Sequence, residues 1–202
     1  MTCANSVPAM TFLLRFGALC GALSGLFIAL PGAVEGFVGE TTATSLVIGV
    51  SPALAAPLLT ALYLKQPRTT LGTVGYVVNF LGLGLFGAAA YALNIVLFHL
   101  DQPILAAPTK IVLTASALIF AVGTVLFAMS MIKARTHPLV PVWTYAIALP
   151  LFTFAAPLPD TPLTSALHVV VGGTLVWLAR SVYPAAIRPA ANSSPKINTM
   201  PA

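Results

Sequence analysis

The stretch IVLTASALIFAVGTVLFAMSMI, residues 111–132, runs for 22 residues without a charged side chain. A helix of that length rises about 33 Å, which crosses a hydrocarbon core of about 30 Å. Five other stretches are long and mostly apolar in the same way: 12–30, 43–64, 73–97, 139–158 and 163–183. The sequence therefore predicts an all-α integral membrane protein, with a bundle of six transmembrane helices in residues 1–183.

The composition agrees with this class. Charged residues make up 6% of the 202-residue chain, and the mean hydropathy is +0.98. A soluble domain carries about 25% charged residues and could not hide so much apolar surface, whereas lipid accepts it. The net charge of +5 comes from basic residues that stand singly or in pairs near segment ends. This pattern indicates a lipid bilayer as the partner and excludes a nucleic-acid interface, which needs basic residues interleaved with aromatic ones.

The connections between the segments predict an orientation. Acidic and basic connections alternate, and eight of the nine lysines and arginines fall on one side; only Lys110 falls on the other. The positive-inside rule places the basic side in the cytoplasm, together with both termini. We expect the membrane to be a bacterial plasma membrane. The tail 184–202, rich in Pro, Ala, Ser and Asn, is predicted to be disordered and cytoplasmic. Tyr145 is among the aromatic residues predicted to lie in the belt at the inner interface.

Gly17, Gly21 and Gly25 form a spacing of four in the first segment. Glycines four apart lie on one helix face and let a second helix approach closely. We expect this face to pack against the helices of the same chain. The alternative is a subunit interface, through which the first segment would form a homo-oligomer or bind another membrane protein.

Two prolines, Pro52 and Pro57, lie inside the second segment. Each removes a helical hydrogen-bond donor and so frees a carbonyl, that of Ile48 and that of Ala53. The simpler interpretation is a bend that only sets the shape of the helix. The functional interpretation is a broken helix whose free carbonyls line a cation or substrate site.

Asn79 in the third segment and His168 in the sixth are the other candidate functional residues. An asparagine inside a membrane helix usually donates a hydrogen bond to a neighbouring helix. An ionisable side chain at such a depth is costly, which makes His168 the strongest single candidate. No aspartate or glutamate falls within any predicted segment.

Several acidic and histidine residues are predicted to lie near the outer side with His168: Glu35, Glu40, His99, Asp101 and Asp160. Their spacing fits no metal-binding motif, so solvated loops are the favoured interpretation and no metal or cofactor is predicted. A haem held by His99 and His168 is a weaker alternative. No catalytic residue is predicted, because no nucleotide-binding, zinc-protease or nucleophile motif is present.

The favoured functional prediction is a non-enzymatic assembly or accessory component of the membrane. The alternatives are a small solute or ion transporter or channel and, second, a lipid- or haem-using enzyme. The interior distinguishes them: a cavity reaching the middle of the bilayer between the second, third and sixth segments favours transport, and a tightly filled interior favours a structural role. No internal repeat is evident, although six segments would allow an inverted repeat of three plus three helices.

Overall fold

The computed structural model describes residues 6–100, 106–155 and 161–183, and within these ranges helices are joined by short connections and no strand is present. The six α-helices are α1 (Ser6–Val38), α2 (Thr42–Lys65), α3 (Thr70–Tyr91), α4 (Ala107–Ala134), α5 (Leu139–Ala155) and α6 (Pro162–Val182). A π-helical turn, Ala92–Val96, and a 3₁₀ turn, Leu97–His99, extend α3. The predicted tail 184–202 lies outside the described residues.

Five of these helices, all except α5, are long and apolar enough to cross a membrane. This confirms the prediction of a multi-pass helical membrane protein. Helix α5 has 17 described residues, which rise about 26 Å at 1.5 Å per residue. The predicted sixth crossing therefore depends on residues 156–158 as well, and these lie outside the described ranges. The orientation of the termini stays a prediction.

The helices form a closed ring in chain order. Each helix packs against the next, and α6 returns to pack against α1. We call the end of the ring that holds Glu35, Glu40 and the start of α6 the acidic end. The opposite end, which holds Lys65 and Arg135, is the basic end. The ring arrangement gives every helix one face toward a common centre.

Helix α1 is longer than predicted. It continues through Pro31 to Val38, so Glu35 belongs to the helix and not to a connection, and it is buried with 5% of its surface exposed. The prediction that no acidic residue lies within a membrane segment is therefore wrong for Glu35. Proline interrupts only one hydrogen bond, and in a membrane bundle neighbouring helices support the helix beyond it.

Glycines permit the closest helix contacts. A Cβ placed on Gly172 of α6 would collide with the carbonyl oxygen of Gly25 in α1, and one placed on Gly25 with that of Gly172. Between α3 and α4, a Cβ on Gly123 would collide with the backbone of Asn79. Two pairs of antiparallel helices, α1 with α6 and α3 with α4, thus meet almost backbone to backbone.

A short pattern relates the two halves of the ring, α1–α3 and α4–α6. Residues 55–60 of α2 read AAPLLT, and residues 148–153 of α5 read ALPLFT, with alanine, proline, leucine and threonine at the same four positions. If α1–α3 and α4–α6 are exchanged, the close pair formed by α3 and α4 takes the place of the close pair formed by α6 and α1. Because each half has three helices, the second half runs in the opposite direction through the membrane. The arrangement is compatible with an inverted repeat of three plus three helices, which the number of segments allows.

Candidate functional site

A cavity of about 280 Å³ lies at the centre of the ring, and all six helices contribute to its described walls. An apolar cavity of about 150 Å³ is large enough for benzene, so this one has room for a small organic molecule. Most of the wall is aliphatic or aromatic. Its polar side chains are those of Ser24, Glu35, Glu40, Ser51, Asn94, Tyr145, Thr164 and His168.

The cavity extends from the acidic end past the middle of the bundle. Glu40, which is exposed, and the buried Glu35 lie in its wall at the acidic end. At the far end the wall is formed by Leu62 and Tyr145, which are 1% and 4% exposed. The described walls therefore reach an exposed residue at the acidic end and finish among fully buried side chains toward the basic end.

The first bend of α2 is part of this wall. Pro52 lines the cavity and deprives the Ile48 carbonyl of its helical donor. The hydroxyl of Ser51 replaces that donor, with Oγ 2.8 Å from the Ile48 oxygen. The hydroxyl of Ser24 in α1 donates to the Ser51 carbonyl at 2.8 Å. Two buried hydroxyls thus satisfy the backbone at the bend, so the Ile48 carbonyl is already paired without any ligand.

Pro57 has a different environment. It does not belong to the described cavity wall, and its carbonyl lies against Gly17 of α1. The two prolines, predicted together as candidate site residues, are thus separated: Pro52 faces the cavity and Pro57 faces a helix contact.

His168 lies in the cavity wall and is half-buried. Its Nδ1 is 2.8 Å from the Thr164 carbonyl oxygen, one helical turn earlier, and its ring meets that of Phe152 edge-on at 4.8 Å. A carbonyl only accepts hydrogen bonds, so Nδ1 carries a proton, and in the neutral tautomer Nε2 is then the nitrogen with the lone pair. Within the described part of the chain no hydrogen-bond partner of Nε2 is found.

Asn79 lies behind the cavity and does not line it. Its side-chain amide donates to the Tyr145 hydroxyl at 2.6 Å, and the Thr124 hydroxyl donates to its amide oxygen at 3.2 Å. Tyr145 is thereby fixed from behind and belongs to the far wall of the cavity, not to an interfacial belt. Trp143, two residues earlier, is 53% exposed. Two residues rotate an α-helix by about 200°, so one aromatic ring faces outward and the other inward.

The predicted outer group of acidic and histidine residues is only partly assembled. Glu35, Glu40 and His168 line the same cavity, and Glu40 accepts a hydrogen bond from the buried hydroxyl of Ser45. His99 is exposed and outside the described wall. Asp101 and Asp160 lie outside the described residues. Among the residues that are described, no three acidic, histidine or cysteine side chains are grouped closely enough to hold a metal ion.

The three glycines of α1 contact two helices, not one. A Cβ on Gly17 would lie 2.5 Å from the Pro57 oxygen, and one on Gly21 would lie 2.6 Å from the Leu58 side chain, both in α2. Gly25 meets α6 instead. Four residues turn a helix by 400°, so each step rotates the glycine row by about 40°. The row therefore passes from α2 to α6, and a partner interface on α1 would have to use another face.

Helices α2 and α5 present matching positions to the cavity. Counted from Pro57 and Pro150, the wall includes the residues five before (Pro52 and Tyr145), two after (Leu59 and Phe152) and five after (Leu62 and Ala155). Prolines at corresponding places in two inverted halves are a known indicator of a central binding site. The repeat and the cavity therefore support the same location.

A polar cluster that was not predicted from the sequence lies at the basic end. The Lys65 ammonium of α2 donates to the Ser181 carbonyl of α6 at 2.9 Å. The Ser181 hydroxyl donates to the Leu178 carbonyl, so it accepts from Nδ1 of His137, 3.1 Å away in the α4–α5 connection. Burial, with a smaller contribution from the charge of Lys65, lowers the pKa of His137 to about 4. The ring is therefore neutral at physiological pH.

The chain matches no protein-family model, and neither a curated protein nor a solved structure is similar to it.

Proposed function

We propose that the chain is a transporter for a small organic solute in a bacterial plasma membrane, with the basic end in the cytoplasm. The observation that carries this proposal is the central cavity, which extends from the acidic end past the middle of the bundle. A purely structural component has no need of a cavity with buried polar side chains, because filling it would add packing contacts. The cavity thus favours the transport alternative over an assembly role.

A carrier fits better than a channel. A channel needs a continuous path, whereas the basic-end half of the bundle is filled by large apolar side chains that are fully buried. These are Phe127, Met131, Val142, Leu178 and Val182, each 0% exposed. The solute would reach the cavity from the acidic end and would leave toward the basic end only after this core rearranged.

The inverted repeat supplies such a rearrangement. When two halves have the same fold in opposite directions, each can adopt the conformation of the other, which closes the acidic end and opens the basic end. The second state has nearly the same internal contacts as the first, so the two differ little in free energy.

The test uses buried serines that differ in their relation to the cavity. In a chain with Cys3 and Cys20 replaced by alanine, Ser24→Cys and Ser116→Cys each change one atom at a buried position, 0% and 4% exposed. Ser24 lines the cavity, and Ser116 does not belong to the described wall. A small membrane-impermeant methanethiosulfonate applied from the acidic end should modify Ser24→Cys much faster than Ser116→Cys.

Equal, slow modification of the two cysteines would mean that the cavity does not admit solutes, and the transport proposal would be wrong. Faster modification of Ser24→Cys from the basic end would reverse the proposed direction. The same reagent applied to single cysteines at Thr70 and Thr42, both exposed and each the first residue of its helix, fixes the orientation, because only Thr42→Cys should react from outside the cell.

A further inference from the structure

Four polar side chains of the cavity wall have one property in common: their recorded hydrogen-bond donors are already used. The hydroxyls of Ser24 and Ser51 donate to carbonyls of α2. The hydroxyl of Thr164 donates to the Thr161 carbonyl, and His168 donates through Nδ1 to the Thr164 carbonyl. These four groups turn only lone pairs toward a ligand.

The charged side chains of the described wall also favour a ligand that carries positive charge. Two carboxylates, Glu35 and Glu40, lie in the described wall, and no lysine or arginine does so among the residues described there. Glu35 is buried, so an interaction of its carboxylate with a bound cation would act in a medium of low dielectric constant, where salt screens little. Asn94, in the π-helical turn, spends one of its amide N–H groups on the Ala90 carbonyl and keeps its oxygen as an acceptor.

The rest of the wall is apolar and partly aromatic. Phe86, Phe120 and Phe152 contribute ring surfaces, with leucine and isoleucine side chains between them. Ring faces attract cations as well as apolar groups. The volume of about 280 Å³ is nearly twice that of a cavity that accepts benzene, which sets a ligand of about eight to twelve non-hydrogen atoms.

We propose that the cavity binds a primary ammonium ion with a small apolar or aromatic body. The carboxylate of Glu35 balances the charge, the lone pairs of Ser24, Ser51 and His168 accept N–H groups, and the phenylalanines surround the body. The proposal rests on the transport function, since it names the solute that the same cavity would carry. A quaternary ammonium, which has charge but no N–H donor, fits this wall less well, and a carboxylate does not fit it.

The test measures protection of Ser24→Cys, in the cysteine-replaced chain, by four probes that share one ring. They are phenethylammonium, benzyltrimethylammonium, benzyl alcohol and benzoate. Phenethylammonium should protect best, benzyltrimethylammonium at concentrations roughly tenfold higher, and the alcohol and benzoate least, because charge and N–H donors both contribute. Each probe should also raise the melting temperature of the purified full chain in the same order.

Glu35→Gln keeps the size of the side chain and removes its charge. It should weaken protection by phenethylammonium about tenfold or more, while Glu40→Gln, at an exposed position, should weaken it roughly threefold or less. If Glu35→Gln does not fold, the order in which the four probes protect Ser24→Cys in the chain that keeps Glu35 decides the question.

The outcomes separate the two proposals. If Ser24→Cys reacts but benzyl alcohol or benzoate protects as well as phenethylammonium, the cavity admits solutes and the ammonium proposal is wrong. The ammonium proposal is also wrong if phenethylammonium gives no protection at millimolar concentrations. If Ser24→Cys does not react at all, the transport function itself fails.

Discussion

The two ends of this bundle have opposite interiors. The acidic-end half surrounds a cavity whose wall includes a buried carboxylate, two buried serines and a half-buried histidine. The basic-end half is a solid apolar core, tied at its surface by the bonds from Lys65 and His137 to Ser181. In a membrane, both halves lie in the same apolar solvent, so lipid does not impose the difference.

A repeat of three helices makes that difference informative. Two halves of similar fold would give a symmetric interior if each helix occupied equivalent surroundings. Instead, the cavity touches α3 near its acidic end, at Leu83, Phe86 and Ala90, and α6 near its acidic end, at Thr164 and His168. Under exchange of the halves these stretches are not equivalent. The proposed carrier would have such an asymmetry in one of its two states.

The largest expected effect comes from the contact between α1 and α6. Gly172→Val places a branched side chain where the carbonyl oxygen of Gly25 already lies, and backbone cannot move aside as a side chain can. We expect a loss of about 3 kcal/mol or more, enough to abolish folded monomer in mild detergent, as measured by size-exclusion chromatography and thermal melting.

The adjacent glycine provides the control. A Cβ on Gly173 has no atom within 4 Å, so Gly173→Val should leave the melting temperature nearly unchanged. Gly21→Ile, which meets the flexible side chain of Leu58, should lie between the two, at about 1–3 kcal/mol. If Gly172→Val folds as well as Gly173→Val, the two helices are not held by a close backbone contact.

Acid should weaken the closed, basic-end half selectively. The pKa of His137 is about 4 in the folded protein, against 6.5 for an ordinary histidine, because burial disfavours the charged ring. The unfolded chain therefore takes up the proton first as pH falls. The stability from the neutral ring is complete above pH 6.5 and is lost between pH 6.5 and 4, with a loss of about 2 kcal/mol at pH 5.

Thermal melting between pH 7 and pH 5 measures this loss. His137→Gln should flatten the pH dependence in that window, whereas His99→Gln, at an exposed position in the 3₁₀ turn, should keep it. A steep dependence that survives in His137→Gln would assign the effect to another group.

The inverted repeat predicts which buried residues of the basic-end half become accessible in the second state. The matched prolines of α2 and α5 are 93 residues apart, and the same shift relates Asn79 to Gly172, which lie at the two close contacts. It also relates Phe86, in the cavity wall, to Ala179, which is 1% exposed. Ala179 should therefore line the cavity when the basic end is open.

Cysteine modification from the basic end tests this. Ala179→Cys should react at least about tenfold faster than Ala61→Cys, another buried alanine of the basic-end half, which is 1% exposed and outside the described wall. The counterpart of Ala61 under the same shift, Phe154, does not line the described cavity. A tenfold difference between the two modification rates corresponds to about 1.4 kcal/mol. Because both cysteines would be modified in the same second state, the ratio of their rates can be measured even when that state is rare. Equal rates at the two positions would leave the cavity without an exit on that side.

The sequence predicted the class of fold and some of the site, for identifiable reasons. Long uncharged segments can only be membrane helices, so the helical membrane class followed from composition alone. Pro52 and His168 stood out because proline and histidine are rare and costly in such segments. Glu35 was misplaced, since Pro31 and the glycines around it resemble a helix end, and only the neighbouring helices show that α1 continues.

The repeat and the cavity were not predicted from the sequence, for another reason. Four identical positions in six, two of them alanine or leucine, carry little weight in a chain rich in both. They become significant when α2 and α5 are seen on the same ring with equivalent faces inward. Neither Ser24 nor Tyr145 was predicted to line a site, and Tyr145 was assigned to the interfacial belt, because a serine or a tyrosine in a membrane helix is as common in packing contacts as in a binding site.

The smallest effect concerns the bend at Pro52, and it tests whether the cavity wall is complete without a ligand. The Ser51 hydroxyl supplies the bond that Pro52 removes from the Ile48 carbonyl. Ser51→Ala should therefore cost about 1 kcal/mol, the size of a hydrogen bond inside a membrane protein.

In Ser51→Ala/Pro52→Ala the new amide at position 52 can donate to the same carbonyl, so much of that loss should be recovered. A double-mutant cycle from melting in detergent measures the coupling. Strictly additive changes would mean that water or a bound solute pairs with the Ile48 carbonyl when Ser51 is absent. That carbonyl would then be part of the binding site, as the functional interpretation of a broken helix requires. Recovery in the double variant would instead assign Pro52 to the shape of the cavity and leave recognition to the side chains.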